Sequence, residues 1–194
     1  ALQLKDRQWS EQETAAFTGR ARLFLTDHER GKRIFVRVGD RVVAVGRSKA
    51  DGTFGGEVVL SAREAHLRRV PAARGTWLIP FAAELPPTDP RRFSGVAMLI
   101  GDAGLTVVSD IDDTIKISEV RDRRALLENT FLREFRPVPG MAEFYQELAR
   151  SGGVAFHYVS ASPWQLYPLL EQFVVSNGFP SGTFHLRSFR WKDR

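Results

Sequence analysis

Residues 105–114 read LTVVSDIDDT, an apolar run that ends in three carboxylates within four positions, Asp110, Asp112 and Asp113. The run 105–109 is short, continuous and rich in Val and Leu, which predicts a buried strand leading directly into Asp110. Carboxylates this close resist joint ionisation unless a cation or a charged ligand compensates them. The carboxyl end of a parallel strand is also where open α/β sheets bind their ligands. An Asp-rich turn capping the next element would account for the run without chemistry, and the D-x-D-x-D-G spacing of a calcium loop is absent. The preceding strand and the D-x-D-x-T spacing favour an aspartate nucleophile. Asp110 then attacks phosphorus to give an aspartyl-phosphate, and Asp112 protonates the leaving alkoxide and later activates water. In that chemistry Mg2+ would neutralise the carboxylate and the phosphoryl oxygens together.

Downstream, Met141, Phe144, Tyr145 and Leu148 recur at three-to-four spacing and predict a helix over 140–149, ended by Gly152-Gly153. Residues 154–159, VAFHYV, read as a second buried strand, and Ser162-Pro163 as an N-cap with proline at the first helical position. Trp164, Tyr167, Leu170, Phe173 and Val174 supply the apolar stripe of that helix; Asn177-Gly178 stops it, and 184–189, FHLRSF, is a third strand. Strand–helix–strand–helix–strand is the pattern of a parallel α/β unit with right-handed crossovers. Ser160 ends the second strand just before a helix, where a hydroxyl and free backbone N–H groups can hold a phosphate.

Upstream the texture differs. Residues 20–25, 33–38, 41–46, 57–60, 77–83 and 95–100 read as short strands rich in Val, Ile and Phe, separated by turn signals such as Gly39-Asp40 and Asp51-Gly52. A short helical connection is expected near 61–69, and the proline-rich 84–92 reads as a loop. This spacing predicts an antiparallel β-sandwich. The fold class is therefore α+β in two modules: a β-sandwich over 1–101, with 1–18 a helical or irregular lead-in, and a Rossmann-type parallel α/β domain over 102–194.

The strings VVSDIDDTIK, PVPGM, FHYVSASPWQLYPLL, GFPSG and HLRSFRWKD resemble the catalytic domain of the actin-patch-protein type of phosphatidate phosphatase, within the haloacid dehalogenase superfamily. The resemblance spans roughly residues 93–194, and SASPWQL makes it far more specific than D-x-D-x-T alone. It implies that Asp110 is the nucleophile, Asp112 the acid/base and Ser160 the second-motif phosphate ligand; Thr114, in the same D-x-D-x-T run, is a further phosphate-binding candidate. It also implies Mg2+ held by the Asp110 carboxylate and the Asp112 backbone carbonyl, with a further ligand beyond Arg194. The superfamily's third-motif Lys and fourth-motif acidic pair have no match before the last residue; Lys192 is the nearest basic candidate and reads better as a surface residue. These residues therefore carry half an active site. The native protein is expected to continue past Arg194, to pair the free side of the 105–109 strand and complete the metal site.

Composition narrows the alternatives. The 194 residues are 43 % hydrophobic, which excludes disorder, and the absence of Cys excludes a thiol nucleophile and a zinc-thiolate site. Residues 1–109 carry 17 Lys and Arg against 12 Asp and Glu, whereas 110–194 carry 11 of each, so the whole excess of +5 lies before Asp110. Such an excess reads first as a solvated, Arg-rich face; it can also steer an anionic partner, and an acidic lipid surface is then expected rather than nucleic acid. The absence of Cys does not fix a compartment; a cytoplasmic location is expected, with peripheral membrane contact as the setting in which such steering would act. Phosphatidate, a soluble phosphate ester, a phosphoprotein, and a mainly non-catalytic lipid- or protein-binding role all stay open. Lys116, Arg121, Arg123, Arg124, Asn129, Arg133 and Arg136 fall where the superfamily places a flap, and read individually as solvated loop residues. Trp164 and Tyr167 read as core, His157 and His185 as packed or edge residues, and His28 and His66 as exposed.

Overall fold

A computed structural model of the chain describes residues 8–25, 29–72 and 76–188. Contacts divide them into two compact units, one made of 8–25 with 106–187 and the other of 29–105. An antiparallel module is followed along the chain by a parallel α/β module, as the patterning implies.

In the antiparallel unit, β1 (Arg33–Val38) and β2 (Arg41–Arg47) form a hairpin across Gly39-Asp40, and Gly39 supplies the positive φ of 61° that this tight turn requires. Helix α2 (Ala62–Arg68) follows, then β3 (Val70–Pro71), β4 (Trp77–Ala83) and β5 (Ser94–Leu99). The five strands belong to one hydrogen-bonded sheet, in which β4 pairs with β5 along its length. The opposite edge of β4 is shared between β3, at Trp77 and Leu78, and β1, at Ala82 and Ala83. Pro80, which lacks an amide hydrogen, lies between those two partners, where the ladder does not need it. Val36, Val38, Val45 and Ile79 form the buried centre.

Two upstream strand expectations are corrected. Residues 57–60 are irregular, although Val58 and Leu60 pack on the core. At Gly56 a Cβ would come within 1.6 Å of the Val45 carbonyl oxygen, so the chain presses onto β2 and only glycine fits there. Residues 20–25 are the end of a helix and the turn after it. Helix α1 (Glu11–Arg22) begins with a capping box in which Ser10 and Glu13 bond each other's backbone N–H. It packs with the parallel unit: Arg20 donates to the carbonyls of Thr130 and Arg133, each at 2.8 Å, and Phe17 and Phe24 meet Phe131.

The parallel unit holds a three-stranded sheet of order β6 (Leu105–Asp110), β7 (Val154–Pro163), β8 (Thr183–Arg187). Helices α3 (Arg123–Phe131), α4 (Met141–Arg150) and α5 (Tyr167–Ser176) complete it. Its core gathers Ile111, Ile115, Tyr145, Phe156, Tyr158, Leu166, Leu170 and Phe173, all at most 5 % exposed. Strand β7 runs four residues further than its apolar run suggests, with an irregularity between Val159 and Pro163. A 3-10 turn, Trp164–Leu166, then precedes α5. Ser162 is thus not a helix cap, and no helix N-terminus directly follows Ser160. Extended backbone through Ser160–Ser162 keeps both hydroxyls at the strand end instead.

Candidate active site

Strand β6 delivers Asp110 as its last residue. Just before it, Ser109 is buried, with its Oγ 2.8 Å from the Tyr145 hydroxyl of α4, so the strand end is pinned to the core. Ile111 and Ile115, both fully buried, anchor the turn that follows, and the Ile111 carbonyl accepts the amides of Ile115 and Lys116 at 3.1 and 3.0 Å. The Ile111 amide donates to Val159 at 3.1 Å, which ties the acidic turn to β7. Alternation of apolar anchors and carboxylates is what lets a charged segment occupy the end of a packed strand.

The three carboxylates have different environments. Asp110 lies open to solvent, with the Thr114 hydroxyl at 3.4 Å from its Oδ2. Partial desolvation, and then the neighbouring Asp112 charge, push its pKa above the ordinary aspartate value. Asp112 is enclosed: Oδ1 accepts from Ser118 Oγ at 2.6 Å and pairs with Lys116 Nζ at 2.9 Å, while Oδ2 accepts from Ser160 Oγ at 2.7 Å. The Ser162 hydroxyl reaches the same oxygen at 3.4 Å. Burial alone would raise the pKa of Asp112, but the Lys116 charge and these hydrogen bonds outweigh it and hold the carboxyl below its usual value. Asp113 has a structural task. Its backbone adopts φ 61°, and its carboxylate accepts the amides of Ser118, Glu119 and Val120 at 2.7, 2.7 and 2.8 Å. Burial opposes ionisation here too, and those three N–H groups win, so its pKa is lowered. The capping-turn reading of the acidic run is thus right for Asp113.

Asp110, Asp112, Thr114 and Ser160 therefore converge at neighbouring strand ends, Ser160 through a direct bond to Asp112. Lys192 and His28 lie outside the described residues. Lys116 is corrected: it is not a solvated flap residue but is only 2 % exposed, in the site, bonded to Ser118 Oγ as well as Asp112, with its ammonium 4.9 Å from the Phe135 ring centroid. Its position four residues after Asp112 was the available signal. Asn129 is also buried; its amide nitrogen donates to the Ser118 carbonyl at 3.2 Å and to Glu119 at 3.0 Å, bracing the same loop. Arg124 and Arg133 pair with buried Glu128, whereas Arg121, Arg123 and Arg136 are exposed, as read. Trp164 is 39 % exposed rather than core, while Tyr167 packs edge-on against Phe184. His157 and His185 form a cross-strand trio with Thr183, whose Oγ lies 2.7 and 3.2 Å from their ring nitrogens.

The fold and this constellation define a parallel α/β domain that places its polar chemistry at the carboxyl ends of adjacent strands. Residues 105–194 match the family model described as phosphatidate phosphatase APP1, catalytic domain. The chain is 36 % identical over 104 residues to phosphatidate phosphatase APP1 of Saccharomyces cerevisiae, an alignment covering 52 % of this chain and 18 % of the yeast protein. An uncharacterised protein of Schizosaccharomyces pombe is 32 % identical over 90 residues, covering 44 % of this chain and 15 % of that protein. The chain thus spans less than a fifth of the length of either relative.

Proposed function

We propose that this chain carries a phosphomonoesterase site of the haloacid dehalogenase kind, acting on phosphatidate to give diacylglycerol and phosphate. The observation that carries the reading is the pairing of an open carboxylate, Asp110, with an enclosed one, Asp112, two residues apart at a strand end. The first is free to meet a substrate and the second is held by four polar groups. The match to a phosphatidate phosphatase catalytic domain and the yeast relative's name support the choice of substrate.

In the first half-reaction a carboxylate oxygen of Asp110 bonds to phosphorus while the bond from phosphorus to the leaving oxygen breaks, and a proton on Asp112 passes to that oxygen. Asp112, now ionised, takes a proton from the water that hydrolyses the acyl phosphate, releasing phosphate and restoring Asp110 and the protonated Asp112. Lys116, Ser118 and Ser160 favour the ionised form that the second half requires, so the protonated form used in the first half is the minor one in the free site. Thr114, beside Asp110, is placed to donate a hydrogen bond to the phosphoryl group.

A divalent cation suits this donor set. The Asp110 carboxylate is open to solvent beside the charges of Asp112 and Asp113, and together with the Asp112 main-chain carbonyl it would offer hard oxygen ligands. Among the described residues no group of three or more His, Cys, Asp or Glu converges to hold a metal. Mg2+ commonly takes one or two carboxylates and completes its shell with water and substrate phosphate. When bound, Mg2+ would neutralise charge on the phosphoryl oxygens and favour ionised Asp110.

The test is phosphate release with Mg2+ from phosphatidate in mixed micelles, from soluble monoesters and from a phosphopeptide. Asp110→Asn should abolish turnover, and Asp112→Asn should lower it by about 10²- to 10⁴-fold, the usual contribution of a general acid or base. Wild-type rates in both variants would refute the assignment of roles. Turnover of soluble esters with none of phosphatidate would refute the substrate.

A further inference from the structure

The Lys116 ammonium is almost wholly withdrawn from water, and Asp112 is the acid it pairs with, at 2.9 Å. Burying an ammonium is costly, and ion pairs in such settings are often no more stabilising than apolar side chains of the same shape. A side chain of equal length without charge would fill the space beside Phe135 at lower desolvation cost. What the ammonium adds is direction. Lys can only donate hydrogen bonds, so the Asp112 oxygen that faces it must act as an acceptor. The hydroxyls of Ser160 and Ser162 on the other oxygen can donate or accept by rotation. Oδ1 is thereby committed to Lys116 and Ser118, and any proton on the carboxyl group is confined to Oδ2, on the Ser160 side.

We propose that Lys116, seconded by Ser118, is a positioning residue for Asp112: it locks the carboxyl orientation and selects Oδ2 as the oxygen that passes a proton to the leaving group. This deepens the reading of Asp112 as acid/base and rests on it. The arrangement acts on proton delivery to the leaving oxygen. Its loss should hurt substrates whose leaving group needs a proton, and spare those that depart as stable anions.

The experiment compares an alkyl phosphate with an aryl phosphate bearing a strongly electron-withdrawing ring, using the whole chain with Mg2+. Lys116→Met should lower kcat for the alkyl ester by about 10²-fold with KM little changed, and for the aryl ester by less than about tenfold, because general acid assistance is worth about 10²–10⁴ only where it is needed. Asp112→Asn should show the same dependence, and the double variant should lose no more than Asp112→Asn alone, since the two act as one unit. Equal losses on both esters, no loss on either, or full additivity would overturn the proposal, because a purely structural role does not distinguish leaving groups. Melting curves report whether Lys116→Met folds. If it does not, Ser118→Ala, which keeps the ion pair, must show the same leaving-group dependence at about tenfold scale, and its absence overturns the proposal equally. Failure of the underlying reading looks different: the wild-type protein hydrolyses neither ester, or Asp110→Asn retains full activity.

Discussion

Asp113 illustrates how much a single residue's conformation decides. A non-glycine residue at φ 61° is uncommon, and Asp is among the few that tolerate it. Here the cost is offset by three amides that would otherwise lack partners at the start of the loop after Ile117. Asp113→Ala leaves those amides to water and removes the clamp on Ser118, which in turn touches Asp112. Because Asp113 is exposed, solvent screening limits the effect to about 1–2 kcal/mol, near the net value of one or two hydrogen bonds. The chain should melt a few degrees lower, and the amides of 118–120 should exchange with solvent much faster. An unchanged exchange rate at those amides would show that Asp113 does not hold the loop. The sequence revealed that three carboxylates crowd this turn but not how they divide their tasks. That division depends on Lys116 and Ser118 folding back onto Asp112 and on Ser160 arriving from β7, a separation of 48 residues.

At the scale of elements, legibility tracked how strongly the local pattern and the packing agreed. β1, β2, β4, β5 and the strand into Asp110 were readable because each is a β-branched or apolar run bounded by a turn signal. Residues 20–25 misled because Leu23, Phe24 and Leu25 imitate a strand; the decisive signal was ten residues upstream, in the Ser10-x-x-Glu13 box. Helix α3 was hidden within a stretch read as flap, although Asp122 caps it by accepting the amides of Arg124 and Ala125. The second capping box, Ser61 with Glu64, makes a testable point about α2. The Ser61 amide and hydroxyl, followed by Arg41, hold the Glu64 carboxyl down to about 2. A depressed carboxyl stabilises the fold where it is ionised in both folded and unfolded chains, that is, above the ordinary glutamate value. The contribution fades as the pH falls through the folded-state value. Urea unfolding of the antiparallel unit should therefore weaken between about pH 4.5 and pH 2, and Glu64→Gln should lose that part of the pH dependence while being less stable at neutral pH. Identical pH profiles for the two proteins would remove Glu64 from the account.

For the whole molecule, the open question is what its uneven charge does. The +5 excess lies in residues 1–109, and five of the acidic groups there are already engaged: Glu29 with Lys32, Asp40 with Arg68, Glu64 with Arg41, Glu84 with Arg37 and Asp89 with Arg91. These pairs are at least partly solvent-exposed, so each adds little stability. They do consume negative charge, which leaves the surplus arginines to set the field felt by an approaching anion. No helix among the described residues is long and apolar enough to cross a membrane. If the substrate is a lipid phosphate, a basic unit would supply attraction to an anionic surface. Each Lys or Arg near an anionic leaflet contributes about 1 kcal/mol, and that attraction decays over a Debye length of about 10 Å at 0.1 M salt. The chain should co-sediment with phosphatidate-containing vesicles at low ionic strength, release progressively as salt rises, and ignore neutral phosphatidylcholine vesicles. Reversing the exposed Arg33 and Arg63 to Glu should weaken that binding while leaving turnover of a soluble ester intact, because neither residue belongs to the unit that carries Asp110. Binding that persists undiminished at high salt would point to apolar insertion, for which exposed Trp164 is the first residue to replace. No preference for anionic vesicles at low salt would mean that the surplus charge only keeps the surface solvated.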